Sequence, residues 1–174
     1  MKKTEILLWK IRATLLFFMA AMVFSGVTAF PLRWELQLLE EWTGNQTFFG
    51  ETFPDWAKWI VYVREGVEYN AKNYPYMAYG TDWLAFAHLV IAVAFLGPWR
   101  DPVRNIWVVQ WGLIACVSVF PLAFFCGSLR GIPPTWQGID CSFGFFGAIP
   151  LLLVWKWTRM LEHGNSVNED MTSG

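Results

Sequence analysis

The chain has 174 residues, 55% of them hydrophobic and only 16% charged, with a formal net charge of −1. A water-soluble domain carries about a quarter of its residues as charges, so this composition excludes an ordinary soluble fold. The near-neutral balance, with no Lys/Arg cluster beyond the N-terminus, excludes nucleic acid as a partner. Twelve tryptophans fall mainly at the edges of apolar blocks, as at Trp9, Trp34, Trp83, Trp99, Trp107, Trp136, Trp155 and Trp157. Amphipathic rings in those places mark the two interfaces of a bilayer.

Residues 1–12 are basic, with Lys2, Lys3, Lys10 and Arg12 against Glu5. The apolar run after them predicts a first span over 13–31. A cleaved signal peptide is the competing reading, because Val27-Thr28-Ala29 resembles a cleavage site; the run is long for a signal core, which favours a retained helix. Pro31 ends or kinks this span and is suited to start a new helix.

Segment 32–80 is too polar to cross a membrane. Leu32 to Trp42 reads as a short amphipathic piece with Trp34, Leu38 and Trp42 on one face, and Thr43 to Pro54 reads as a loop. Asn45-Gln46-Thr47 matches a glycosylation acceptor, but the Met-Lys-Lys start reads as bacterial, which removes its weight. Thr52-Phe53-Pro54-Asp55 signals a helix start. Trp56, Trp59, Ile60, Val63 and Val67 then share one helical face, with Lys58, Glu65 and Glu68 away from it. Such a helix lies on the membrane surface or caps the spans. Its Trp56, Trp59 and Val63 face is the candidate partner-binding surface.

Asn70 to Gly80 is a tyrosine-rich connector, and the second span is predicted over 81–99. Between Trp83 and Gly97 its only strongly polar side chain is His88. Residues 100–105 leave room only for a tight turn, so the third span, 106–127, is an antiparallel neighbour, kinked at Pro121. Loop 128–140 leads to a fourth span over 141–157 with an internal Pro150, and 158–174 reads as a disordered polar tail. Eight of the thirteen basic residues fall on the side shared by the N-terminus, the 100–105 turn and the end of span four; five fall on the other, longer side. The positive-inside rule places both termini in the cytoplasm and segment 32–80 outside the inner membrane. The expected fold is an all-α, four-span bundle with an extracytoplasmic amphipathic segment.

Lipid gives helices no hydrophobic reason to associate, so small residues mark the packed faces. Ala85 and Ala92 flank His88; Gly112, Cys116 and Ala123 form a strip on span three; Cys141, Gly144, Gly147 and Ala148 form one on span four. These strips are expected to face one another. A histidine within a span is either a functional titrating group or a packing device donating to a backbone carbonyl or to Ser118. Haem between two spans takes two axial ligands, and His163 lies in the tail, so no cofactor is expected. Asp82, Arg130 and Asp140 fall at the outer ends of spans, where they form a polar mouth or, for the two aspartates, cap helix N-termini. Cys126 and Cys141 bracket the outer loop, as a bridge or as two free thiols; without a C-x-x-C spacing they do not read as a redox pair. Arg100, Asp101 and Arg104 read as a local ion pair in the inner turn.

Three functions fit. The first is a non-catalytic accessory, scaffold or sensor subunit with a membrane partner. The second is a small oligomeric transporter with a proton-sensitive His88. The third is a quinone-linked redox protein. The balance of structural explanations favours the first.

Overall fold

A computed structural model of the chain describes residues 3–172, with side chains over 4–164; Lys2 and the last two positions lie outside the described residues. It is all-helical, with no strand among the described residues. The elements are α1 (Lys3–Ala29), α2 (Leu32–Thr43), α3 (Phe48–Thr52), α4 (Pro54–Asn73), a 3-10 turn (Pro75–Met77), α5 (Ala78–Ala94), α6 (Leu96–Arg100), α7 (Ile106–Pro121), a π-helical turn (Leu122–Cys126), α8 (Gly127–Leu129) and α9 (Pro134–Thr172). Four helical stretches are long and apolar enough to cross a membrane: Thr4–Ala29, Pro75–Arg100, Ile106–Leu129 and Pro134–Gly164. Each of the four spans predicted from the sequence falls on one of these helical stretches, which extends past it at one end or both. The expected tail from 158 is instead helix as far as Thr172. No proline interrupts it there, and Arg159 pairs with Glu162 at 2.8 Å across one turn.

The chain divides into two compact units, residues 1–21 with 91–174, and residues 22–90. In the first unit the core is Ile11, Leu15 and Met19 from α1, Phe95 after α5, Val108 and Val109 from α7, and Leu151, Val154 and Leu161 from α9. Phe18 lies against Phe95 with ring centroids 4.8 Å apart. The small-residue strips of spans three and four do meet. A Cβ built on Gly144 would fall 2.5 Å from the Cys116 carbonyl oxygen, and one on Gly147 3.3 Å from Cys116 Sγ. Gly112 lies under Leu151 and Phe95, each at 2.9 Å from its missing Cβ. Backbone therefore meets backbone where α7 crosses α9, which only glycine permits.

Pro121 lacks an amide hydrogen, so the helical ladder slips into a wider π turn directly after it. The outer loop is shorter than the expected 128–140. Gln137 donates from Nε2 to the Ile132 carbonyl at 2.8 Å, and Gly131 takes a positive φ of 69°, so the chain reverses over four residues and re-enters helix at Pro134.

At the opposite end of the same unit, cations and indoles gather. Arg12 donates to the Trp99 carbonyl at 3.3 Å and stacks over the Trp99 ring at 5.9 Å, while Lys10 lies 5.8 Å over the Trp157 ring. Asp101 does not form the expected ion pair with Arg100 or Arg104. Its Oδ1 accepts the Arg104 backbone N–H at 3.0 Å, because a carboxylate at the start of so tight a turn is closer to the free amides than to any flexible cation.

In the second unit α2 packs on α4 around Leu36, Ala57 and Ile60, all buried. Arg64 reaches from α4 to Glu40 on α2 and also bonds Glu68 at 2.9 Å. The Glu68 hydrogen bond holds the guanidinium pKa above its ordinary value, against a partial loss of solvent. The expected face of α2 is turned round. Trp34 and Trp42 are 60% and 77% exposed, and Leu36 points inward. The ridge carrying Leu36, Glu40 and Thr43 matches α4 in both apolar and charged partners, which the tryptophans cannot do. Inside the expected 43–54 loop lies the short helix α3. Thr47 caps it by accepting the Gly50 amide at 3.0 Å, and Gly50 sits against the Gly44 carbonyl with no room for a side chain.

Two substitutions check this packing. Gly144→Val should cost about 1–3 kcal/mol in a denaturant titration of the purified protein in mild detergent. Thr158 is fully buried with its hydroxyl unpartnered. Thr158→Val, which keeps the shape and removes the stranded oxygen, should therefore stabilise by about 1 kcal/mol in the same titration.

Candidate functional site

His88 sits on α5, half-buried, and its ring is turned back along its own helix. Nδ1 lies 2.8 Å from the Leu84 carbonyl oxygen, one turn earlier. A carbonyl only accepts, so Nδ1 carries the hydrogen and Nε2 is left as the acceptor. What the surrounding backbone needs at this point is not the imidazole but the lack of a side chain opposite it. Gly26 of α1 is buried there, and a Cβ on it would fall 2.9 Å from the Ala85 carbonyl and 3.0 Å from the His88 Cβ. Gly26 thus lets α1 and α5 approach closely here, within the second unit. Ser118 bonds the Ile114 carbonyl of its own helix at 2.8 Å.

Asp82 does not cap a helix. α5 begins at Ala78, which places Asp82 in the second turn. It lines an open cavity of about 400 Å3, whose walls include Phe30, Arg33, Trp34, Met77 and Thr81. The cavity forms where the chain leaves one apolar helix and approaches the next. Pro31 directs Leu32–Trp34 away from the axis of α1, and the Pro75–Met77 turn brings the start of α5 alongside. Among the described residues, Asp82 and Arg33 take part in no ion pair and no side-chain hydrogen bond. The cavity lining includes apolar Phe30, Trp34 and Met77. The arrangement offers one cation and one anion, each without a partner among the described residues, beside an aromatic and thioether surface.

Asp140 does not cap a helix either. α9 starts at Pro134, so Asp140 lies in its second turn, half-buried. Arg130 is exposed beyond the end of α8, with its amide bonded to the Cys126 and Gly127 carbonyls, and no ion pair joins it to Asp140. Asp82 belongs to the second unit, and Arg130 and Asp140 to the first. Cys126 is an exposed free thiol and Cys141 a buried one. Among the described residues no three His, Cys, Asp or Glu side chains gather as a metal site requires.

The Trp56, Trp59 and Val63 face of α4 is turned inward. All three are half-buried. Trp56 Nε1 donates to Thr43 Oγ1 at 3.3 Å and its ring meets Phe49 at 6.1 Å, while Trp59 lies against Tyr62 at 5.5 Å. Trp56 is thus spent on α2 and α3, while the ring contact of Trp59 is within α4 itself.

The sequence reading missed Arg33, Gly26 and the Glu40–Arg64–Glu68 cluster. Arg33 follows directly on an apolar run and a proline, which flags an interfacial cation. Gly26 had a weaker signal, a lone glycine in a span. Nothing in the sequence pairs Arg33 with Asp82.

The fold and these sites define an all-helical protein with four helices able to cross a membrane. Against known protein families, curated proteins and solved structures, the chain finds no match.

The geometry sets the expected cost of two variants. His88→Ala removes one hydrogen bond within a helix and should change stability by no more than about 1 kcal/mol. Gly26→Leu overpacks the α1–α5 approach and should cost about 1–3 kcal/mol. A larger effect of His88→Ala than of Gly26→Leu in a thermal melt would reverse this assignment.

Proposed function

We propose that the chain is a non-catalytic accessory or scaffold subunit of a membrane assembly, a four-span protein of a bacterial inner membrane. The single observation that carries this reading is the way His88 and three hydroxyls within the apolar helices are used. Thr28, His88, Ser118 and Ser142 each bond a backbone carbonyl of their own helix through the side chain. Groups used in this way support a helix and do not line a path for a proton or solute. The orientation, with both termini in the cytoplasm and segment 32–80 outside, is supported by the basic end of the first unit. Lys10, Arg12, Trp99 and Trp157 meet there, as cations and indoles do at a positive inner face.

Trp56 is occupied by α2 and α3, so partner contact falls to surfaces that segment 32–80 leaves open. Purification of the tagged chain from its native membrane in gentle detergent, followed by mass spectrometry, should recover a stoichiometric second protein. Recovery of the chain alone, together with pH-dependent flux in vesicles that His88→Ala abolishes, would replace this reading with transport. Trp59→Ala should loosen the outer segment to limited proteolysis. A topology reporter fused after Lys72 should be active outside the cytoplasm, and activity inside would overturn the orientation.

A further inference from the structure

The cavity between Arg33 and Asp82 has a position, a size and a charge pattern that together select a ligand. Its position is the common end of two apolar helices: Phe30–Trp34 leaves the first candidate span and Met77–Asp82 opens the second. In a bilayer that is the depth of the lipid headgroups. Its volume of about 400 Å3 suits a headgroup and part of a glycerol backbone, with the two acyl chains left outside. Its charge pattern is one guanidinium and one carboxylate, neither engaged by another side chain among the described residues.

A purely anionic ligand would satisfy Arg33 and be opposed by Asp82. A purely cationic one would do the reverse. A zwitterion satisfies both. Arg presents a planar fork that fits a phosphate, and a carboxylate accepts hydrogen bonds from a primary ammonium. A quaternary ammonium has no N–H to donate, so a choline headgroup leaves the carboxylate without hydrogen bonds. The Phe30, Trp34 and Met77 side of the cavity then covers the glyceryl carbons.

We propose that this cavity binds one phospholipid of the ethanolamine class, its phosphate on Arg33 and its ammonium on Asp82. The assignment is independent of the subunit reading, because it depends only on the second unit and on a membrane around it.

The test is native mass spectrometry of the full chain, purified in detergent and titrated separately with ethanolamine, choline and glycerol phospholipids of identical acyl chains. One ethanolamine phospholipid should be retained, about tenfold more tightly than either of the others, as a charge-assisted hydrogen bond implies. Asp82→Asn should bring ethanolamine retention down to the level of choline, Asp82→Glu should keep the preference, and Arg33→Gln should weaken retention of all three. Ala71 also lines the cavity, and Ala71→Phe fills it without touching either charge. That variant decides the matter if Asp82→Asn loses its helical circular dichroism, since it should abolish the preference. Equal retention of the three lipids by the unaltered chain, or a preference unchanged by Asp82→Asn or Ala71→Phe, would overturn the proposal. So would displacement of the lipid by an equal concentration of soluble O-phosphoethanolamine, which would make a free zwitterion the ligand.

Discussion

The structure of the first unit depends on one close approach, that of α7 and α9 through Cys116, Gly144 and Gly147. In lipid, two apolar helices gain nothing by leaving the hydrocarbon for each other unless their atoms pack better than acyl chains do. A carbonyl oxygen 2.5 Å from where a side chain would begin shows how completely that packing is used at Gly144. The rest of the core follows from it. Gly112 lies under Phe95 and Leu151, and the nearby α1 positions Ile11, Leu15 and Met19 close the remaining side. Large side chains such as Phe124, Phe125, Phe145 and Phe146 remain exposed.

The second unit is held by different forces. Of its helices, α2 is too short and α4 too charged to cross a bilayer. They combine a small apolar contact, Leu36 on Ala57 and Ile60, with a charged clasp in which Arg64 serves two glutamates. The clasp is partly solvated, so each pair contributes on the order of 1 kcal/mol or less. Its value is in register: it fixes which ridge of α2 meets α4, and so turns Trp34 toward the cavity and Trp42 outward.

The polar residues divide by the same logic. His88, Ser118 and Ser142 are inside apolar stretches and bond their own backbone, the cheapest partner available in hydrocarbon. Asp82 and Arg33 stand near the ends of apolar helices, lining an open cavity, where a charge without a partner among the described residues is tolerable. Position along the apolar stretches thus separates polar groups that bond their own helix from charges left open to a cavity.

The sequence by itself determined the helical class, the four long apolar stretches, the tight turn after Arg100 and the strips of small residues, because these are local properties: length, periodicity, proline position and side-chain volume are written along the chain. It also offered, as one of two readings of His88, the hydrogen bond to a backbone carbonyl that its imidazole makes. Tertiary structure alone decided what is non-local. Which face of α2 turns inward depends on Arg64 finding Glu40 across a loop, and periodicity favoured Trp34, Leu38 and Trp42 instead. Helix starts were misjudged at Asp82 and Asp140, because the aromatic and proline residues before them continue the helix toward the interface rather than stopping it. The meeting of Arg33 with Asp82 at one cavity depends on how Pro31 and the Pro75–Met77 turn aim two helices. That is a matter of three-dimensional direction, and no spacing in a linear sequence encodes it.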